Sequence, residues 1–346
     1  MEKGKKKMKK KWLGLLGMTL VASMVLTACG ANKDEATDET GAAESTKDKV
    51  SIMLDWYPNA VHSNIYVAKE KGYFDDEGVE VEIHMPSDAN DPLKLAAADK
   101  VDIASSYQTQ LLLSRSEGIP IQAIASNVQR PLDQMMLKKD SEIASPKDLE
   151  GQTVGYSSSE VREAIVKAMV KNDGGDPEKV SFVDVGFDLI PAIATDRVSA
   201  IMGGYINHEL PLLEKEGYPI KQFLQEDYGV PTSQELVFVA SEKTVKNKQA
   251  ALEKFLRAVK RGQEEVVKNP EASLKVLLDH ANEDSPLDPE IEKKSLETLL
   301  PLMGDEAEPY GYQSEEQYQA LIDWMVEQSL IDDSVKAKES FVNILK

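Results

Sequence analysis

Four histidines and one cysteine are the only soft ligands or thiol nucleophiles in a chain of 346 residues. His62, His84, His208 and His280 never fall at i, i+4, so no helix face carries the paired imidazoles of a catalytic zinc. No G-x-S-x-G, S-x-x-K, phosphate loop or G-x-G-x-x-G occurs. No metal, no cofactor and no catalytic residue are expected. What remains are polar and aromatic residues grouped where apolar runs of strand length end, the places at which α/β sheets take ligands. Asp55-Trp56-Tyr57-Pro58-Asn59-Ala60-Val61-His62 is the first group. Trp56 either packs between lobes or gives a planar ligand a flat face, Asn59 supplies directional hydrogen bonds near a helix start, and His62 either does the same or caps the helix. Ser105-Ser106-Tyr107-Gln108 and Tyr156-Ser157-Ser158-Ser159 each lead into a helix. Tyr107 and Tyr156 are candidate ring faces there, and Ser157 either caps its helix or joins free N–H groups in holding a ligand. Phe187 is an aromatic wall or core. In Gly203-Gly204-Tyr205-Ile206-Asn207-His208-Glu209 the glycines permit close backbone approach, and Tyr205 and Asn207 add a ring and an amide. Glu209 is either a solvated helix acid or a carboxylate that accepts two N–H bonds from an amino-substituted heterocycle.

These groups need a sheet to hold them. Strands are expected at Val50 to Leu54, Val79 to His84, Val101 to Ser105, Ile119 to Ala125, Thr153 to Tyr156, Val180 to Val185, Ala200 to Gly204 and Leu236 to Ala240, with helices between them. Val161, Ile165 and Met169 recur at spacing four behind Ser157 to Glu160, which reads as a capping box. After Ser241 the pattern turns almost wholly helical. Asn269-Pro270 divides two helices, with Asn269 as cap and Pro270 at the first helical position, and further helices are expected over Ile291 to Leu300 and Glu315 to Ser329.

The charge is −20, from 60 acidic and 40 basic side chains, which argues against nucleic acid and against attraction to anionic lipid. Its distribution is uneven. Residues 3 to 11 hold seven Lys, the run Trp12 to Ala28 is apolar, and Leu26-Thr27-Ala28-Cys29 ends it. That is the anatomy of a secretory signal, and its end resembles the lipobox of bacterial lipoproteins, in which the Cys becomes an acylated N-terminus. Residues 1–28 are expected to be the signal peptide, Cys29 the lipidation site, and 29–49 a solvated tether. Cleavage removes seven Lys and one Glu, leaving 33 basic and 59 acidic side chains, or −26.

The stretch Leu54-Asp55-Trp56-Tyr57-Pro58-Asn59 with His62, Tyr66-Val67-Ala68, Lys71-Gly72-Tyr73-Phe74 and Gly78-Val79 resembles the solute-binding proteins related to fungal thiamine-pyrimidine synthases. Val185-Gly186-Phe187-Asp188-Leu189, Gly203 to Glu209 and Tyr228-Gly229-Val230-Pro231 are similar to the subgroup that binds N-formyl-4-amino-5-aminomethyl-2-methylpyrimidine. The resemblance implies an α/β type II periplasmic-binding fold with a cleft between two lobes. Lobe one would comprise 50–137 and 238–346, and lobe two 138–237, with the chain crossing near Met136 to Lys139 and returning near Gln234 to Ala240. By motif, Trp56, Asn59 and His62 would reach the ligand from lobe one, and Tyr205, Asn207 and Glu209 from lobe two. The implied role is extracytoplasmic: a monomeric, lipid-anchored binding protein that delivers its small molecule to an ABC permease with a cytoplasmic ATPase. Riboflavin or an alkyl sulfonate is the alternative ligand. A sulfonate would call for cations, and of Arg130 and Arg162 the latter reads as a solvated helix residue. A synthase is the rival class, but the fungal enzymes carry a cysteine-rich iron-binding segment, and no Cys follows Cys29 here.

Overall fold

Strands buried on both faces read as continuous apolar runs, and Leu236–Ser241 (LVFVAS) is buried at every position. In the computed structural model it joins the first of two five-stranded sheets; the structure describes residues 47–157, 161–281, 286–304 and 308–345. The strands are β1 (Asp48–Met53), β2 (Val79–His84), β3 (Ile103–Ser106), β4 (Ile121–Val128), β5 (Asp133–Lys138), β6 (Thr153–Tyr156), β7 (Ser181–Asp184), β8 (Ala200–Tyr205), β9 (Ile220–Phe223) and β10 (Leu236–Ser241). The helices are α1 (Ser63–Glu70), α2 (Tyr73–Asp76), α3 (Asp91–Ala97), α4 (Gln108–Ser116), α5 (Val161–Asn172), α6 (Leu189–Ala194) and α7 (Glu209–Lys215). After β10 come α8 (Glu242–Lys268), α9 (Pro270–Asp279), α10 (Pro289–Leu299), α11 (Glu315–Glu327) and α12 (Ala337–Ser340).

The first sheet has the order β2-β1-β3-β10-β4 and the second β7-β6-β8-β5-β9. Each holds one reversed strand in fourth place. β10 runs antiparallel to β3 and β4, and β5 antiparallel to β8 and β9. Each reversed strand is the one entered straight after the chain passes between sheets. The first passage is residues 129–132 and the second lies within 224–235. This corrects the expected crossings: Met136 to Lys138 lie in β5 of the second sheet, and Gln234 to Ala240 is mostly β10 itself. β5 and β9 are strands that sequence pattern did not suggest.

Behind the first sheet, α1 and α8 pack so closely that a Cβ on Gly262 would lie 2.1 Å from the Asn64 carbonyl oxygen. Phe74 stacks on Phe255 at 5.5 Å, in a core with Ile52, Leu54, Ile65 and Phe238. Against the second sheet, Val161, Ile165 and Met169 form the buried stripe expected of α5. The helix-rich end is present, and Pro270 occupies the first position of α9. Asn269 stands before it, but its amide donates to Glu265 instead of capping. The basic segment, the apolar run, Cys29, the tether as far as 46, and Ser158 to Glu160 of the proposed capping box lie outside the described residues. Asp48 and Lys49, read as tether, begin β1.

Candidate functional site

The ends of β1, β3 and β8 converge. β1 delivers Asp55 and Trp56, and Asn59 opens a single 3-10 turn, Ala60–His62. Tyr107 stands at the start of α4, just past β3. From the second sheet, Gly203 and Tyr205 end β8, and His208 and Glu209 begin α7. Together these side chains line one narrow cavity. A neighbouring, wider cavity shares Asp55 and Tyr107 and extends past Ser106 towards Asn90 and Gln110.

Asp55 is buried, which alone would raise its pKa, but hydrogen bonds and charge from His62 and the hydroxyl of Ser105 hold it below its usual value. His62 Nε2 is 3.0 Å and Ser105 Oγ 2.8 Å from Asp55 Oδ1. Glu209 Oε2 accepts the Tyr205 backbone N–H at 2.8 Å, leaving Oε1, and burial raises this carboxyl despite the neighbouring His208. Two donors stand among the same lining residues. The Trp56 indole N–H and the Tyr205 hydroxyl are buried with no hydrogen-bond partner, and burial, helped by Glu235, keeps the Tyr205 proton in place far above the ordinary range. The site therefore offers two carboxylates, two unspent donors and three aromatic rings. No Lys or Arg is among its lining residues.

Contacts close the cleft over this cavity. Trp56 meets Phe187 edge-on at 4.4 Å, and Tyr57 Oη lies 3.1 Å from His208 Nε2. His208 Nδ1 approaches Glu292 Oε1 at 3.3 Å, without hydrogen-bond alignment, while Glu292 Oε2 accepts the Ala60 N–H at 2.8 Å. Asn207 Nδ2 donates to Ser295 Oγ at 2.8 Å, tying the second sheet's loop to α10.

The structure thus brings Trp56, Asn59, Tyr107, Tyr205 and Glu209 together at one cavity. It places the other candidates elsewhere. His62 is fully buried, with Nδ1 accepting from the Asn59 N–H and Nε2 spent on Asp55, so it orients that carboxylate from behind the wall. Asn59 reaches the cavity, although its amide also caps the turn through Val61 and donates to the Tyr57 carbonyl. Asn207 is buried against α10, Tyr156 packs on the second core, and Ser157 gives its carbonyl to Arg162. Phe187 is 38% exposed and covers Trp56 from outside. Asp55 and His208 also line the cavity, although each stands in a stretch whose neighbours carry the stronger sequence signal. Arg162 is not the solvated helix residue that its position suggests: it is 5% exposed and ion-paired to Asp133 at 2.5 Å.

A model of the family described as NMT1/THI5 like matches residues 59–273. The chain is 40% identical over 326 residues to the formylaminopyrimidine-binding protein of Halalkalibacterium halodurans, covering 94% of this chain and 97% of that one. It is 33% identical over 298 residues to a putative thiamine biosynthesis protein of Haemophilus influenzae, covering 86% and 93%. Among solved structures, the alkanesulfonate-binding protein SsuA of Xanthomonas axonopodis pv. citri, bound to MOPS, superposes with a TM-score of 0.67 at 12% identity, covering 85% of this chain and 98% of that one. At that identity the likeness shows the fold alone, and the fold is the two-lobed periplasmic-binding architecture.

Proposed function

The chain belongs to the NMT1/THI5-like family, and from that membership we propose that it is the extracytoplasmic solute-binding lipoprotein of an ABC importer. It captures N-formyl-4-amino-5-aminomethyl-2-methylpyrimidine, a thiamine precursor, and hands it as a monomer to a permease driven by a cytoplasmic ATPase. Catalysis is no part of this reading. The observation that carries the ligand is the pairing of Asp55 and Glu209 at one small, ring-lined cavity. A pyrimidine with an exocyclic amine has N–H groups for those acceptors, and its flat face suits Trp56, Tyr107 and Tyr205. Its formyl oxygen matches the unspent Trp56 and Tyr205 donors. An alkyl sulfonate would instead set its negative charge beside two carboxylates, with the one buried arginine nearby already paired to Asp133.

Calorimetric titration of residues 30–346 with the formylated pyrimidine, riboflavin and taurine tests the reading. Heat with the pyrimidine alone is expected. Tight riboflavin binding with no pyrimidine heat would overturn it. Within the site, Glu209→Gln should weaken pyrimidine binding by roughly 1.5–3 kcal/mol, the range for a hydrogen bond to a charged group; unchanged affinity would remove Glu209 from recognition. Cys29 is the proposed lipid anchor, so Cys29→Ala should move the protein from the membrane fraction to the soluble one. Retention of that variant in the membrane would count against anchoring at this residue.

A further inference from the structure

Arg162 is the second residue of α5, on the second-sheet side, and its buried guanidinium serves three partners. Nε lies 2.5 Å from Asp133 Oδ2, Nη1 donates to the Ser157 carbonyl at 2.6 Å, and the group sits 4.5 Å over the ring of Tyr107, on the first-sheet side. Asp133 is the first residue after the passage between sheets. Its Oδ1 accepts the Gly203 N–H at 2.6 Å, and its own N–H, with that of Leu132, donates to Glu235 on the other passage. Gly203 has φ +107°, and a Cβ there would stand 3.1 Å from Arg162 Nε, so the backbone makes room for this side chain. Arg162 thus touches one cavity residue from each half, Tyr107 and Gly203, and through Asp133 reaches both passages.

We propose that Arg162 is a positioning residue for ligand capture: without touching the ligand, it holds the Tyr107 ring across the cleft and favours the closed arrangement. The physical requirement is a planar cation. A guanidinium stacks on a phenol face while its edge still pairs with a carboxylate; an ammonium keeps the charge and loses the stack. Opening the cleft carries Arg162 away with the second sheet and leaves Tyr107 with the first, so the contact belongs to the closed form only. Arg162 and Asp133 share a side of the cleft, and their pair survives opening.

The inference rests on the binding reading above, but its test does not need a ligand. Residues 30–346 contain no cysteine, so Glu178→Cys and Lys246→Cys, exposed and on opposite halves, can carry a spin-label pair. The closed-to-open ratio is read from the distance distribution of the ligand-free protein, then with the formylated pyrimidine added. Arg162→Lys and Tyr107→Leu should each lower the ratio by roughly five- to tenfold, the range for a partly desolvated cation–π contact. Tyr107→Phe, which keeps the ring and drops only the hydroxyl, should lower the ligand-free ratio less than Tyr107→Leu does. The double variant Arg162→Lys, Tyr107→Leu should fall no further than either single one. A Tyr107→Leu ratio equal to that of Tyr107→Phe, or additive losses in the double variant, would overturn the proposal. Tyr107→Leu leaves the Arg162–Asp133 pair in place, so a folding failure of Arg162→Lys does not remove the test. Absence of pyrimidine binding to the parent would strike the ligand assignment and leave the ligand-free comparison standing.

Discussion

His208 meets three ionisable groups from different parts of the chain. Tyr57 stands on Nε2, Glu292 near Nδ1 at 3.3 Å, and the Glu209 carboxylate 4.0 Å away. Burial would strip its charge, but Glu209 and Glu292 outweigh burial and raise its pKa above 6.5. Unfolding separates these groups and returns His208 to its ordinary value. A raised pKa in the folded form means that its contribution to stability is complete below about 6.5 and is lost as pH rises through the folded-state value. Unfolding free energy should therefore fall from pH 6.5 to 8.5, and His208→Gln should flatten part of that slope; urea unfolding at four or five pH values measures it. Parallel slopes for the two proteins would place the pH response elsewhere. Much of the site is legible in sequence at this scale because aromatic and carboxylate residues at strand ends have few roles to choose from, and Trp56, Tyr205 and Glu209 do line one cavity. His62, His208 and Arg162 are not legible in the same way. Whether a titratable side chain is buried, and against what, is decided here by residues as distant as Glu292, which accepts a bond from Ala60.

Close approach of α1 and α8 makes a sharp test at the level of elements. Within a helix, Gly262→Ala should gain about 1 kcal/mol of propensity. The new methyl would have to stand 2.1 Å from the Asn64 carbonyl oxygen, a backbone atom that cannot turn aside. The helices must separate, and the overpacking cost outweighs the propensity gain. A net destabilisation of roughly 1–3 kcal/mol is expected, read as a lower urea midpoint with an unchanged slope. A midpoint at or above that of the parent would mean the two helices do not pack this closely. The same scale explains which elements the pattern revealed. β1, β2, β3, β4, β6, β7, β8 and β10 fall within one to three residues of the expected limits because their apolar runs are bounded by turn residues. β5 begins with buried Asp133 and Gln134, whose polarity serves Arg162, Gly203 and the Gln225 N–H, so its apolar part shrinks to Met-Met-Leu and reads as a connector. β9 (IKQF) is an edge strand of the second sheet with only Phe223 buried. Missing β5 is what displaced the expected crossing to Met136.

At the scale of the whole molecule, two sheets of equivalent order are joined by two short passages, and Glu235 binds those passages to each other. Its Oε2 accepts the N–H groups of Leu132 at 2.7 Å and Asp133 at 2.9 Å, so one carboxylate holds the junction on which any relative motion of the sheets must turn. The position is costly for a charge. Burial and the adjacent Asp133 push the Glu235 carboxyl up from 4.5 to about 7, more than the Arg162 guanidinium and the two N–H groups pull it down. The folded chain therefore holds a proton that the unfolded chain has released, and stability falls as pH climbs from about 4.5 towards neutrality; the buried, raised Glu209 adds to the same slope. Glu235→Gln keeps an acceptor for both N–H groups and removes the titration. Across pH 5 to 8 the parent should lose roughly 2–3 kcal/mol more unfolding free energy than this variant, since each tenfold difference in proton affinity between folded and unfolded chain is worth about 1.4 kcal/mol. Urea unfolding at fixed ionic strength measures both profiles. Profiles that run parallel would mean that Glu235 carries no shifted titration at the junction.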